Sequence, residues 1–158
     1  MTILSPMRPE TYDAFFESTI RLNAQDNVAS ENWPAESAME RSRAEIELLF
    51  PQGIATPSCH FYEIKPAADG PTIGTICFGV TEQGGTRSAF VCQVEIYPEW
   101  RRQGHASRAF QALEPILAPL GVTSIGLHVF RHNEAAQGLY AKLGYNVFGL
   151  NLVKQLGA

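Results

Sequence analysis

The feature that most narrows the fold is a change of hydrophobic period at Pro98. Before it, three apolar segments rich in aromatic and β-branched residues follow one another: 60–65 (HFYEIK), 72–80 (TIGTICFGV) and 88–97 (SAFVCQVEIY). Pro66, Asp69, Gly70 and Pro71 punctuate the first gap and Gly84-Gly85 the second, so the segments read as antiparallel strands joined by tight turns. After Pro98 the order becomes helix (about 104–117), strand (123–130), helix (about 133–143) and strand (145–156). A strand returned through a helix to the same sheet is parallel to its predecessor, with a right-handed crossover. The prediction is an α/β (α+β) chain with a mixed sheet, antiparallel in its first half and parallel at its centre.

Upstream, Ile3 and Leu4 before Pro6 read as a short first strand, and Pro9 opens a helix with Tyr12, Phe15, Phe16 and Ile20 at helical spacing. Residues 24–33 lose that period and are expected to form a loop. Pro34 then opens a second helix marked by Met39, Ile46, Leu49 and Phe50, closed by Pro51 and Gly53. In the third helix Pro115 removes one backbone bond and is expected to bend or end it early, with Pro119 as a firm stop. The aromatics Phe61, Tyr62, Phe78, Phe90, Phe130 and Phe148 are read as sheet packing. The expected order is β-α-α-β-β-β-α-β-α-β. With 158 residues and no repeat or linker, one domain is expected over 1–158.

Composition excludes several functions. Twelve Lys and Arg against sixteen Asp and Glu give a net charge of −4, which offers no general attraction to nucleic acid or anionic lipid. The N-terminus has no secretion-signal pattern, and no apolar run approaches the ~20 residues that span a bilayer, so a cytoplasmic location without membrane contact is expected. Cys59, Cys77 and Cys92 form no C-x-x-C pair and read as buried reduced thiols. His128 and His132 have no second type of ligand near them, so no metal site follows.

Chemistry concentrates where the third helix begins, at Arg101-Arg102-Gln103-Gly104-His105-Ala106-Ser107. Unpaired N–H groups of the first helical turn converge there, the helix dipole adds positive potential, and Gly104 and Ala106 leave the approach clear. Such a start accommodates a pyrophosphate. His105 is expected to cap the helix or face solvent. A dinucleotide fingerprint is a poor match, since two of its glycines and its acidic residue are missing.

A second motif follows at the right distance: Asn133, Ala136, Leu139, Tyr140, Gly144 and Tyr145, spaced as N-x-x-A-x-x-L-Y-x-x-x-G-[F/Y]. Together with V-E-I-Y-P-E-W-R-R-Q-G-H-A, it resembles the GNAT superfamily of N-acetyltransferases over roughly residues 88–156. The resemblance implies an acetyl-CoA co-substrate, with its pyrophosphate on the Arg101 to Ser107 segment, chiefly on backbone amides. It implies that the pantetheine arm runs along Val94, Glu95 and Ile96 like an added strand, contacted by Asn133. It also implies Tyr140, two helical turns after Asn133, as the general acid for the departing thiolate.

Glu95 interrupts an apolar strand beside the expected thioester and is our candidate base for the acceptor amine. In the family the acceptor site is shaped by the first two helices and their link, which points to Asp26 and Trp33 as acceptor-binding residues. The implied activity is N-acetylation of a primary amine by direct transfer, with no metal. A non-catalytic acyl-CoA binder and an O- or longer-chain acyltransferase are the alternatives. After Gly144 only residues 145–156 remain for the last strands, so that side of the cleft is expected to be open or completed by another subunit of a homodimer.

Overall fold

A computed structural model describes residues 1–157. The elements are β1 (Ile3–Pro6), α1 (Pro9–Ala29), α2 (Ala38–Leu49), β2 (Cys59–Lys65), β3 (Gly74–Gln83), β4 (Thr86–Ile96), α3 (His105–Leu117), β5 (Val122–Leu127) and α4 (Glu134–Lys142). The sheet runs β1-β2-β3-β4-β5, with β1 to β4 antiparallel and β5 parallel to β4, so it is mixed in the predicted sense. One face packs Ile64, Ile76, Phe78 and Val91 against Ala109, Phe110, Leu113 and Leu117 of α3. The other packs Phe61 and Cys77 against Tyr12, Phe15 and Ile20 of α1 and Ile46 of α2. Apolar area removed from water on both faces holds the layers together.

Helix α1 runs on to Ala29 through residues expected to be loop. Its inward stripe continues as Ala24 and Asn27, a small residue and a polar one, which carry no apolar period. Asn27 is satisfied there: its amide donates to the Asn23 carbonyl (2.8 Å), and its own carbonyl accepts the Asn32 and Trp33 N–H groups. A 3-10 turn, Ala35–Ser37, precedes α2, and the buried face of α2 is Ala38, Ser42 and Ile46. Met39 and Leu49, expected on that face, are 49% and 42% exposed. Ser42 takes the close-packed position instead, donating to the Ile20 carbonyl at 2.6 Å.

Pro115 does not end α3, which continues to Leu117 and then through a 3-10 turn, Ala118–Leu120, that contains Pro119. Gln111, whose carbonyl loses its partner to Pro115, is exposed, so water can serve that group, while Leu113 and Leu117 keep the helix on the core. Gly121, at φ 75°, makes the actual stop.

The last predicted strand is absent: residues 146–157 join no sheet. Phe148 is 105% exposed and Phe90 48%, so neither packs in the sheet as expected. An alternating pattern marks a segment able to be a strand but does not supply a neighbour to pair with.

An ion pair with its carboxylate buried and its guanidinium half-exposed fixes the N-terminal edge. Glu63 of β2 is fully buried and accepts from the Arg8 backbone N–H (2.8 Å), from Arg8 Nε (3.0 Å) and from the Thr72 hydroxyl. Burial pushes its carboxyl up, but the bonds from Arg8 and Thr72 outweigh that and hold it down at about 2.

Candidate active site

The parallel pairing of β4 with β5 ends at Val91 opposite Leu127. Just past that point the register between β3 and β4 slips, Cys77 facing Gln93 while Phe78 faces Val91, so Cys92 is the extra residue of a bulge. A bulge inverts the alternation beyond it. Ala89 and Val91 face the α3 core before it; Val94 and Ile96 do so after it. From Gln93 to Ile96 the strand therefore pairs with β3 alone, and its edge on the β5 side is open. The structure thus contains a fork lined by backbone polar groups, beside which Val94, Glu95 and Ile96 lie half-buried.

The start of α3 follows directly. Its first helical bond is Arg108 N–H to the Gly104 carbonyl (3.1 Å), so the amides of His105, Ala106 and Ser107 lack intrahelical acceptors. Gly104 is the cap residue, at φ 79°, and brings no side chain over them. Arg102 also has a positive φ, 62°, which bends the loop into the helix. The Arg101 guanidinium turns back to the Ile96 carbonyl (2.7 Å), while Arg102 and Gln103 are exposed.

His105 departs from expectation, being only 7% exposed. Its Nδ1 lies 3.0 Å from the Thr2 hydroxyl, which itself accepts from Arg108 Nε, also at 3.0 Å. Burial lowers its pKa, and Arg108 adds to that, so the ring is neutral and structural. Only its backbone amide faces the helix start's opening.

Tyr140 is half-buried, its ring edge-to-face with Phe110 (5.3 Å) and Tyr145 (5.7 Å). Burial raises its pKa above the usual 10.0. Asn133 caps α4, its side-chain oxygen accepting the Ala136 N–H at 3.2 Å, which leaves the amide NH2 for a ligand. Glu95 projects toward α1, where Ser18 Oγ donates to its Oε1 at 2.8 Å. Asp26 pairs with His132 Nε2 at 3.2 Å, joining the end of α1 to the segment between β5 and α4. Trp33 is half-buried just beyond α1, its N–H on the Asn27 carbonyl. Two hollows lie away from the fork, one beside Pro6 and Phe61 and one between Phe110 and Tyr145.

The sequence profile of the acetyltransferase (GNAT) family matches residues 22–145, which include the fork, the α3 start and Tyr140. The chain belongs to the GNAT acetyltransferase family. It is 28% identical to the uncharacterized N-acetyltransferase YycN of Bacillus subtilis over 99% of this chain and 100% of YycN. It is 30% identical to the uncharacterized N-acetyltransferase YdgE of the same organism, over 97% of each chain. The crystal structure of YycN superposes with a TM-score of 0.93 over 100% of both chains, at 26% identity. This GNAT protein is an acyltransferase by that membership.

Three residues in contact with the candidate site escaped the sequence reading. Arg108 lies one turn after Gly104, close enough that a Cβ on Gly104 would sit 2.6 Å from Arg108 Nη1; the i, i+4 spacing was the available signal. Ser18 and His132 reach Glu95 and Asp26 only through tertiary contact, across 77 and 106 residues, and no local pattern marks them. Among the described residues no helix is long and apolar enough to cross a membrane.

Proposed function

We propose that this acyltransferase moves an acetyl group from acetyl-CoA to a primary amine, by direct transfer in a ternary complex. The observation that carries the reading is the fork after Val91 and Leu127 followed by the uncovered amides of His105, Ala106 and Ser107. An open strand edge suits an arm that carries amides, and a bare helix start suits a pyrophosphate. Acetyl-CoA supplies an activated acyl carbon with a thiolate leaving group.

The chain's own residues do the rest. The three amides hold the phosphates, with Arg108 adding positive charge beside Gly104. The Val94 to Ile96 edge orients the arm, and the Asn133 amide donates to it. Tyr140, a phenol protonated at neutral pH and kept so further into the alkaline range by burial, gives a proton to the departing sulfur. Glu95, fixed by Ser18, takes the proton from the amine directly or through water. Asp26 and Trp33 at the end of α1 contribute to the amine site.

The test is a thioester-consumption screen varying acyl-CoA and acceptor together. Thiol release that requires protein, acetyl-CoA and an amine supports the proposal. Thermal stabilisation by acetyl-CoA with no turnover over a broad amine panel sinks it in favour of a binder. Turnover only with alcohols or longer acyl chains replaces the substrate class.

A further inference from the structure

We infer that the acceptor is a free α-amino acid, its amine facing Glu95 while its carboxylate binds Arg21; this rests on the acetyl transfer proposed above and narrows its substrate. The geometry begins with α1. Ser18, Arg21, Leu22 and Asp26 recur at helical spacing and share one side of that helix. At one end of this stripe Ser18 Oγ meets Glu95 of β4, and at the other Asp26 meets His132, which follows β5. β4 and β5 are the two prongs of the fork, so the stripe spans its mouth. At 1.5 Å per residue the two contacts stand about 12 Å apart, a window for a small molecule.

Arg21 supplies the charge that selects a carboxylate. Its Nη2 donates to Ser18 Oγ at 3.2 Å, and Ser18 Oγ donates to Glu95 Oε1 at 2.8 Å. The guanidinium and the carboxylate are therefore no farther apart than those two bonds laid end to end. Arg8, Arg43 and Arg87 each hold an acid, whereas among the described residues Arg21 has only that hydroxyl. Its Nε and Nη1, and Oε2 of Glu95, make no other hydrogen bond there.

An amine and a carboxylate on the same carbon present two complementary groups at a matching separation. A guanidinium takes a carboxylate through two parallel N–H donors. A simple amine or the ammonium of a lysine side chain leaves Arg21 unmatched and sets a second cation beside it. Leu22 adds a third contact: it is half-buried between the ends of the stripe and belongs to neither core cluster. The amino acid's own side chain covers it, which favours an apolar one. In the transfer the neutral amine nitrogen bonds to the acetyl carbon and the C–S bond breaks. The nitrogen's proton goes to Glu95 and the sulfur takes one from Tyr140, giving an N-acetyl amino acid and free CoA. Solvent then returns both side chains to their starting states.

Thiol release is measured with each of the standard amino acids beside its amide, which replaces the carboxylate by a neutral group of the same shape. The best acceptor is expected to be an apolar amino acid, with kcat/KM ~100-fold or more above that of its amide. In Arg21→Met that ratio is expected to fall below about 5, through a higher KM for the amino acid rather than a lower kcat, and Arg21→Lys should restore part of it. Arg21 is exposed, and thermal-shift titration with acetyl-CoA reports that the variants fold. The inference is overturned if amides match amino acids in the wild type, if the ratio survives in Arg21→Met, or if turnover occurs only with polyamines or peptide N-termini. In those three cases acetyl transfer itself stands. Absence of thiol release with every acceptor overturns the transfer and the inference together.

Discussion

Ser18 Oγ donates a 2.8 Å hydrogen bond to Glu95 Oε1, so helix α1 fixes the rotamer of the acid beside the fork. Glu95→Gln keeps the shape and that bond while removing the base. It is expected to lower kcat by ~10²-fold or more, with acetyl-CoA affinity unchanged. Ser18→Ala, which frees the carboxylate without removing it, is expected to cost only a few-fold. Steady-state kinetics with thermal-shift titration of acetyl-CoA check both; a Glu95→Gln kcat within about three-fold of wild type would make the residue a solvent-facing one.

Tyr140→Phe keeps the edge-to-face packing on Phe110 and Tyr145 and removes only the hydroxyl. A fall in kcat of ~10²-fold with little change in cofactor binding is expected. A general acid works while protonated, and a raised pKa extends that range upward, so the alkaline limb of kcat in the wild type is expected above pH 10 on this account. The pH–rate profile of the variant should lack that limb. Equal limbs in both proteins would assign the proton to another group.

Gly104→Glu is expected to weaken acetyl-CoA binding by ~100-fold or more. The substitution strains a residue at φ 79°, at a cost of ~1–2 kcal/mol, crowds Arg108 and places an anion where phosphates bind. Arg101→Ala removes a side chain occupied with the Ile96 carbonyl and is expected to cost only a few-fold. Isothermal titration compares them. The reverse ranking would mean that side chains, rather than the backbone amides, hold the phosphates.

How much was legible in the sequence follows from the kind of signal each element carries. The meander and the helices after Pro98 were readable because their core faces are large apolar residues such as Phe78, Val91, Phe110 and Leu113. The second half of α1 was not, because Ala24 and Asn27 occupy its inward face; in α2 Ile46 and Phe50 are buried as expected, but Met39 and Leu49 turn outward and Ala38 and Ser42 inward. The bulge at Cys92 has no marker in the chain, yet it decides that Val94 and Ile96 face α3 while Glu95 faces α1. Residues 146–157 show the opposite failure: their alternation is plain, but pairing is a property of two strands, and these residues join none of the five in the sheet.

Glu63 sets the acid limit of the fold. Its carboxyl is held at about 2 against 4.5 when unfolded, so the unfolded chain binds the proton more readily. A group with a depressed folded pKa stabilises fully above its unfolded value, and that share is lost as pH falls from about 5 toward 2. The full span corresponds to about 3 kcal/mol. Arg8 is 56% exposed, and solvent screening of its charge brings the expected loss nearer to 1–2 kcal/mol. His105 acts earlier and in the same direction: its lowered pKa makes stability begin to fall as pH drops below about 6.5, where the unfolded imidazole starts to charge. Urea unfolding from pH 8 to 3 should therefore show two descending steps. Glu63→Gln lowers the plateau and removes the lower step alone, and an undiminished lower step in that variant would assign it to other carboxylates.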